Sequence, residues 1–277
     1  MKACKANKTL KAMMAFKAIE TINAYSQSKA INACYTCRTC TASIFYVLRI
    51  RSFMSIVLVA NEKGGVGKST VAVNLAVLCV NAGMETLLVD TDRQESSSNW
   101  AAFRNEQEAE LRPITAIKLT GKVGYELNKL RSKYDVVIVD AGGTDSVELR
   151  QSVAVCDTLI MPMQPSQFDV WTLYKMSNII TEIQEKLDKK IDARAFINRS
   201  STNPAIKETS DALAGLVEFG DVFSTMATIV YERIAFRKAA RMGQGVIELP
   251  RVDQDAKANA EMSQLYREIF NVEWKPV

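Results

Sequence analysis

Ile56-Val57-Leu58-Val59-Ala60-Asn61-Glu62-Lys63-Gly64-Gly65-Val66-Gly67-Lys68-Ser69-Thr70 runs from an unbroken apolar stretch through a glycine-rich loop into a helical pattern. Between a buried strand and a helix start, successive backbone N–H groups can converge on phosphate oxygens, helped by the positive end of the helix dipole. Gly64, Gly65 and Gly67 keep side chains out of the turning backbone, with Val66 among them. Lys68 adds a mobile positive charge, and the hydroxyl of Ser69, followed by Thr70, can hold a magnesium ion. A turn without a ligand accounts for the glycines but not for two lysines at this spacing. Residues 64–70 therefore read as a nucleotide-binding loop.

The spacing departs from the ordinary Gly-x-x-x-x-Gly-Lys-Ser/Thr, because Glu62 stands at the first glycine and Lys63 follows it. Lys-Gly-Gly-x-Gly-Lys-Ser/Thr resembles the deviant P-loop of the ParA/MinD family of ATPases. The resemblance implies ATP and Mg2+ as ligands and a homodimer that forms on ATP binding. It also implies catalytic roles for both lysines: Lys68 on the phosphates of its own subunit, Lys63 on the nucleotide bound to the other.

From Ser55 onward, apolar runs of β type alternate with helical patterns, as βαβ units do. Strands are predicted at 55–60, 86–90, 114–119, 135–140, 158–162, 193–198 and near 222–226. Helices are predicted at about 69–82, 95–109, 122–133, 145–155, 168–188, 204–217, 231–242 and 254–270. The implied fold class is α/β, a P-loop NTPase with a mostly parallel sheet and helices on both faces. Ligands in such sheets bind at the carboxyl ends of the strands, and the remaining motifs gather there.

Leu87-Leu88-Val89-Asp90-Thr91-Asp92-Arg93-Gln94 puts two carboxylates at a strand end. By the resemblance this segment faces the γ-phosphate, with Asp92 matching the aspartate that positions or activates the attacking water and Asp90 lying nearer magnesium. Arg93 stands where the family usually has proline, a departure that bears on the loop's shape and not on its carboxylates. Tyr134-Asp135-Val136-Val137-Ile138-Val139-Asp140 has the form of a Walker B strand, whose carboxylate holds magnesium through water. Ser69, Asp90 and Asp140 are thus the expected metal set. Ala141-Gly142-Gly143 follows where many relatives have Pro-Pro, and glycine hinges suit a loop that reorganises on ATP binding.

Phe196-Ile197-Asn198-Arg199-Ser200 ends another strand, and Thr202-Asn203-Pro204 opens a helix with proline in its first turn. The resemblance lays this region against the adenine base and makes Asn198 a candidate base contact. Helix capping by Thr202 or Asn203 is the alternative use of these residues. Farther on, Arg233, Arg237 and Arg241 recur every four residues with Lys238 beside them, a single basic stripe at helical spacing. Like charges on an exposed face need a reason, and phosphate binding supplies one. Neutralisation by acids of neighbouring elements is the other outcome. Small ParA proteins bind DNA without sequence preference through basic residues in their C-terminal part, and this stripe is the best match.

The chain has 277 residues, 35 of them basic, 31 acidic and none histidine. Residues 1–53 hold nine Lys/Arg against Glu20 alone, which leaves 26 basic and 30 acidic residues in 54–277. The basic balance belongs to the extension, so any nucleic-acid contact by the rest needs a local patch. Lys-Ala recurs along residues 1–53, and Ile-Asn-Ala occurs at 22–24 and 31–33, a low-complexity pattern. This segment is expected to be disordered or to precede the true start at Met54, with 54–277 as the ParA-like ATPase domain. The spacing of Cys34, Cys37 and Cys40 could hold a metal or an iron–sulfur cluster, but without histidine a zinc site lacks its usual ligands, and no metal is expected there. Cys79 and Cys156, in apolar segments, read as buried reduced thiols. Ala42 to Leu48 is too short to span a bilayer, and the mixed charges of Glu261 to Phe270 make a poor membrane ligand.

Together these features lead to an ATP-dependent DNA partition ATPase. It would dimerise on ATP, bind DNA non-specifically, and be released by hydrolysis that a ParB-like centromere-binding protein stimulates. A cytoplasmic, nucleoid-associated location without a stable membrane anchor follows. The alternatives are a MinD-like membrane-positioning ATPase and a ParA-like ATPase assisting DNA transfer.

Overall fold

The computed structural model describes residues 54–107, 111–165, 170–203 and 205–277. The expectations for residues 1–53, including the three cysteines, lie outside the described residues, as does Pro204. Strands β1 (Ser55–Val59), β2 (Thr86–Asp90), β3 (Thr115–Lys118), β4 (Val136–Asp140), β5 (Thr158–Met163), β6 (Asp192–Ser200) and β7 (Ser224–Tyr231) form one sheet in the order β3-β2-β4-β1-β5-β6-β7. Every neighbouring pair is parallel, so the expected mostly parallel sheet is wholly parallel. Strands covered on both faces read as continuous Val/Ile/Leu runs instead of alternating, and β2 and β4 are buried at every residue. The last strand sits later than the 222–226 run. Phe223 of that run packs into the core before the strand begins, and pairing with β6 continues to Tyr231 beside Ser200.

The helices are α1 (Lys68–Asn81), α2 (Ser96–Asn105), α3 (Val123–Arg131), α4 (Val147–Val155), α5 (Val170–Leu187), α6 (Glu208–Val217), α7 (Ile234–Arg241) and α8 (Ala256–Phe270). They cover both faces of the sheet. Ile56, Leu58, Val137 and Val139 pack in one core with Leu127 of α3, Val153 of α4 and Ile180 of α5. The alternate residues Val57, Val59 and Ile138 are equally buried, on the side where α1 packs against β4, α2 and α8. Each such aliphatic side chain contributes about 1.5–3 kcal/mol by leaving water.

α6 begins at Glu208, not at 204. Asn203 Oδ1 accepts from the Ala205 amide at 3.0 Å and the Asn203 carbonyl from the Ile206 amide at 3.2 Å, so a turn closes first and neither Thr202 nor Asn203 caps the helix. Arg104 of α2 is fully buried. Its guanidinium donates to both carboxylate oxygens of Glu248, at 2.7 and 2.8 Å, and to the carbonyls of Arg112 and Gly243. Glu248 lies in a 3-10 turn after α7, Val246–Glu248, and also accepts from Asn81 at the end of α1. One polar knot thus joins α1, α2 and the segment that follows α7. At the opposite, carboxyl edge of the sheet, strand order reverses at β1, and the loops after β1, β2, β4 and β6 are brought together there.

Candidate nucleotide site and its surroundings

The loop between β1 and α1 needs glycine where its backbone turns left-handed: φ is 80° at Gly65 and 92° at Gly67, values that strain an L side chain. A Cβ at Gly67 would also collide with the amide of Asn198. Asn61 anchors the loop's start, donating to the Pro162 carbonyl at 2.9 Å and accepting from the Lys63 amide at 3.0 Å. Sequence reasoning passed over Asn61; its one signal was a polar residue at the end of an apolar strand. Lys68 is buried and donates through Nζ to the Lys63 carbonyl at 2.9 Å. Burial lowers its pKa, while the charges of Asp140 and Asp92 pull it back up. Lys63 is half-buried beside it.

Asp140 ends β4 fully buried; the Ser69 and Ser97 hydroxyls lie near enough to favour its charged form, but neither meets a carboxylate oxygen at full hydrogen-bonding geometry. Burial pushes its pKa up to about 7, with the nearby Ser69 hydroxyl opposing the rise and the charge of Asp90 adding to it. A buried carboxylate without donors is costly until a cation or proton completes it. Ser69 and Asp140 therefore fit magnesium, which takes few protein oxygens and fills its shell from water and phosphate.

Asp90, expected in the same metal set, has its carboxylate filled by protein donors. Oδ1 accepts from the Asp92 amide at 3.0 Å; Oδ2 accepts from the Ser97 and Ser98 amides at 3.1 and 2.9 Å and from the Ser98 hydroxyl at 3.0 Å. It satisfies the first N–H groups of α2, which Glu95, the residue at the cap, leaves without a side-chain bond. In this structure the Asp90 carboxylate serves as the cap of α2.

Asp92 opens a turn closed by the Glu95 amide on the Asp92 carbonyl at 3.2 Å, and Asp92 Oδ1 accepts from the Gln94 amide at 3.0 Å. Arg93 takes the second position of this turn, where proline is favoured in ordinary β-turns. The loop after β4 passes close by. A Cβ at Gly142 would stand 3.6 Å from the Asp92 carboxylate carbon, and one at Gly143 would stand 3.3 Å from Lys68 Nζ. Lys68, Asp92 and Asp140 are thereby brought into one electrostatic cluster.

The end of β6 clamps the loop from the other side. Asn198 is buried and donates to the Val66 carbonyl at 2.7 Å. Arg199, left-handed at φ 54°, donates to the Gly65 carbonyl at 2.7 Å and to Glu232 at 3.1 Å. Beside them lies a cavity of about 220 Å³ lined by Thr70, Asn198, Tyr231, Phe236 and Arg237 among others. Asn198 borders this cavity, but its amide nitrogen is engaged by the loop.

The basic stripe is divided. α7 begins at Ile234, which leaves Arg233 extended and outside the helix. Arg233 donates to Glu261 at 3.0 and 2.5 Å and lies 3.8 Å from Asp255, and its hydrogen bond to Glu261 raises its pKa. Lys238 pairs with Asp253 at 2.5 Å. Acids of α8 and of the segment before it thus neutralise half of the expected stripe. Arg237 and Arg241 are exposed and, among the described residues, form no ion pair. Cys79 and Cys156 are buried thiols, with Cys156 pushed up to about 12 by burial.

Residues 57–246 match the family model described as the CobQ/CobB/MinD/ParA nucleotide binding domain. A Protein ParA of Rhizobium radiobacter is 31% identical over 173 residues, which is 60% of this chain and 74% of that one. Maintenance of carboxysome distribution protein A of Halothiobacillus neapolitanus is 27% identical over 217 residues, covering 76% and 94%. Among solved structures, a Cyanothece McdA variant in complex with ATP superposes with a TM-score of 0.64 at 16% identity, covering 82% of this chain and 99% of that one. The MinC:MinD complex of Aquifex aeolicus gives 0.57 at 15% identity, covering 80% and 98%. At such identities the two structures show the fold alone.

Proposed function

The chain belongs to the CobQ/CobB/MinD/ParA nucleotide-binding family, and from its site we propose that it is an ATP-hydrolysing DNA partition protein of the ParA kind. The carrying observation is Asp140: a buried carboxylate with only the Ser69 and Ser97 hydroxyls near it, neither at full hydrogen-bonding geometry, and within the field of Lys68. Ser69 and Asp140 would hold Mg2+, which when bound would supply neutralisation of phosphate charge. The N–H groups of residues 64–70 cradle the phosphates, and Lys68 exchanges the Lys63 carbonyl for a phosphate oxygen. Asp92 orients the attacking water, while Lys63 reaches the nucleotide of a second subunit. Catalysis is by positioning and charge neutralisation. The base occupies the cavity beside Asn198 and Phe236.

The ATP-bound homodimer binds DNA without sequence preference through Arg237 and Arg241, on the nucleoid in the cytoplasm. A ParB-like centromere-binding protein accelerates hydrolysis and releases it. The ParA and Soj relatives support this reading. No helix among the described residues is long and apolar enough to cross a membrane. Trp274 Nε1 donates to the Leu78 carbonyl and the Val277 amide to the Asn81 carbonyl, both at 2.9 Å.

Sedimentation and DNA binding of the wild type and Asp92→Ala test the cycle. Wild type should dimerise and bind DNA with ATP and Mg2+ but not with ADP. Asp92→Ala should bind ATP and DNA and fail to let go. Loss of nucleotide affinity in that variant would remove Asp92 from the proposed role.

A further inference from the structure

We propose that Arg93 is a catalytic residue acting in trans: in the ATP-bound dimer its guanidinium contacts the γ-phosphate held by the partner subunit. The inference rests on the dimer reading above and adds to it a residue that the loop pattern does not contain.

The turn at Asp92 to Glu95 sends neighbouring side chains different ways. Asp92 is half-buried, accepts from the Gln94 amide and acts on the charge of Lys68. Arg93, one residue on, is exposed, and among the described residues it forms no ion pair. The acid that feels its charge is Glu148, where the Gly121 amide is the larger influence. Within its own subunit the phosphate end of the loop already has a cation, Lys68, buried against Asp140 and Asp92. The exposed guanidinium is therefore surplus to the cis site and available to a facing one.

The dimer supplies that facing site. If Lys63 of each subunit reaches the other's nucleotide, a two-fold axis must set the two carboxyl edges of the sheets against each other. The turn after β2 stands on this same edge, with the loop after β4 between it and the loop after β1: Gly142 lies beside Asp92, and Gly143 beside Lys68 and Gly64. A planar fork of N–H donors matches phosphoryl oxygens better than an ammonium does. Hydrolysis itself stays unchanged in its accounting. Water adds to the γ-phosphorus, the bond to the β–γ bridging oxygen breaks, and ADP, inorganic phosphate and a proton to solvent result. Arg93 moves neither proton nor electron pair; it neutralises charge on the equatorial oxygens.

The test uses the full chain with Mg2+ and ATP, and compares wild type with Arg93→Ala, Arg93→Lys and Arg93→Pro. Proline keeps the turn, so it separates charge from loop shape. Alanine and proline variants should each lose at least about tenfold in kcat, since a supplied arginine is worth more than that in related phosphoryl transfers, while nucleotide affinity, melting temperature and ATP-dependent dimerisation stay at wild-type values. Lysine should recover part of the rate. Equal amounts of Asp92→Ala and Arg93→Ala, each nearly inactive alone, should recover about a quarter of wild-type activity on mixing, because each mixed dimer holds one intact shared site. A wild-type rate in Arg93→Pro overturns the assignment. No recovery on mixing overturns action in trans. A wild type that stays monomeric with ATP overturns the dimer reading beneath it, a result separable from the other two.

Discussion

Arg104 and Glu248 stand 144 positions apart and meet through two parallel hydrogen bonds of 2.7 and 2.8 Å, with the arginine side chain wholly out of solvent. Removing one partner leaves an uncompensated buried charge, which costs about 3–5 kcal/mol. Arg104→Met and Glu248→Leu should each lower the urea midpoint accordingly, and the double variant should lose less than the sum of the two. Additive losses would mean that the pair contributes little beyond its separate packing.

The two loop lysines should fail differently. Lys68→Ala removes the buried cation beside Asp92 and Asp140 and should abolish tight ATP binding, read by fluorescent-nucleotide titration. Lys63→Ala should keep nucleotide but not dimerise with ATP, read by sedimentation. Normal dimerisation in Lys63→Ala would show that this lysine does not work across an interface.

Asp140 and Asp90 separate a metal role from a capping role. Asp140→Asn should raise the Mg2+ concentration needed for half-maximal ATPase activity by at least about tenfold while leaving stability equal or higher, because a neutral amide replaces a carboxylate without donors. Asp90→Asn should instead cost about 1 kcal/mol of stability through the weakened start of α2, with Mg2+ dependence unchanged. The reverse pattern would exchange their roles.

DNA binding should depend on Arg237 and Arg241, the stripe arginines without acidic partners among the described residues. Arg241→Glu should weaken binding to unrelated duplexes while leaving ATP affinity alone, and should flatten the log–log salt dependence by about 0.9 for each phosphate that is no longer neutralised. Arg237→Glu should weaken both DNA and nucleotide binding, because Arg237 also lines the cavity. Arg233→Ala should reduce stability through Glu261 and leave the salt slope unchanged. If Arg241→Glu binds DNA like wild type, the DNA surface lies elsewhere.

The sequence made legible what is contiguous. Glycine and lysine spacing in 63–68, and apolar runs ending in Asp90 and Asp140, each carry their meaning within a dozen residues, and the sheet follows from their alternation with helices. What stayed hidden depends on pairings that only the topology creates. Asn198 meets Val66 across 132 positions, and Glu261 meets Arg233 across 28. A helical period put Arg233 in the stripe, yet the helix starts one residue later and the side chain turns to α8. The family resemblance placed Asp90 nearer magnesium; the two serine amides that bond its carboxylate lie past a turn whose direction no local pattern encodes.

The first strand of the sheet by sequence is its middle strand by position. β1 pairs with β4 and β5, whose partner residues begin at Val136 and Thr158. As the chain leaves the ribosome at about 5–20 residues per second, Ile56 to Val59 must wait several seconds, apolar and unpaired, for either neighbour to be made. Parallel pairing at such sequence separation is slow and exposes the nascent chain to aggregation. The phosphate loop is therefore translated early and completed late. A fragment ending before Asp140 lacks the carboxylate proposed to hold Mg2+, so on the proposed reading nucleotide binding would add stability only to a chain that has finished its sheet.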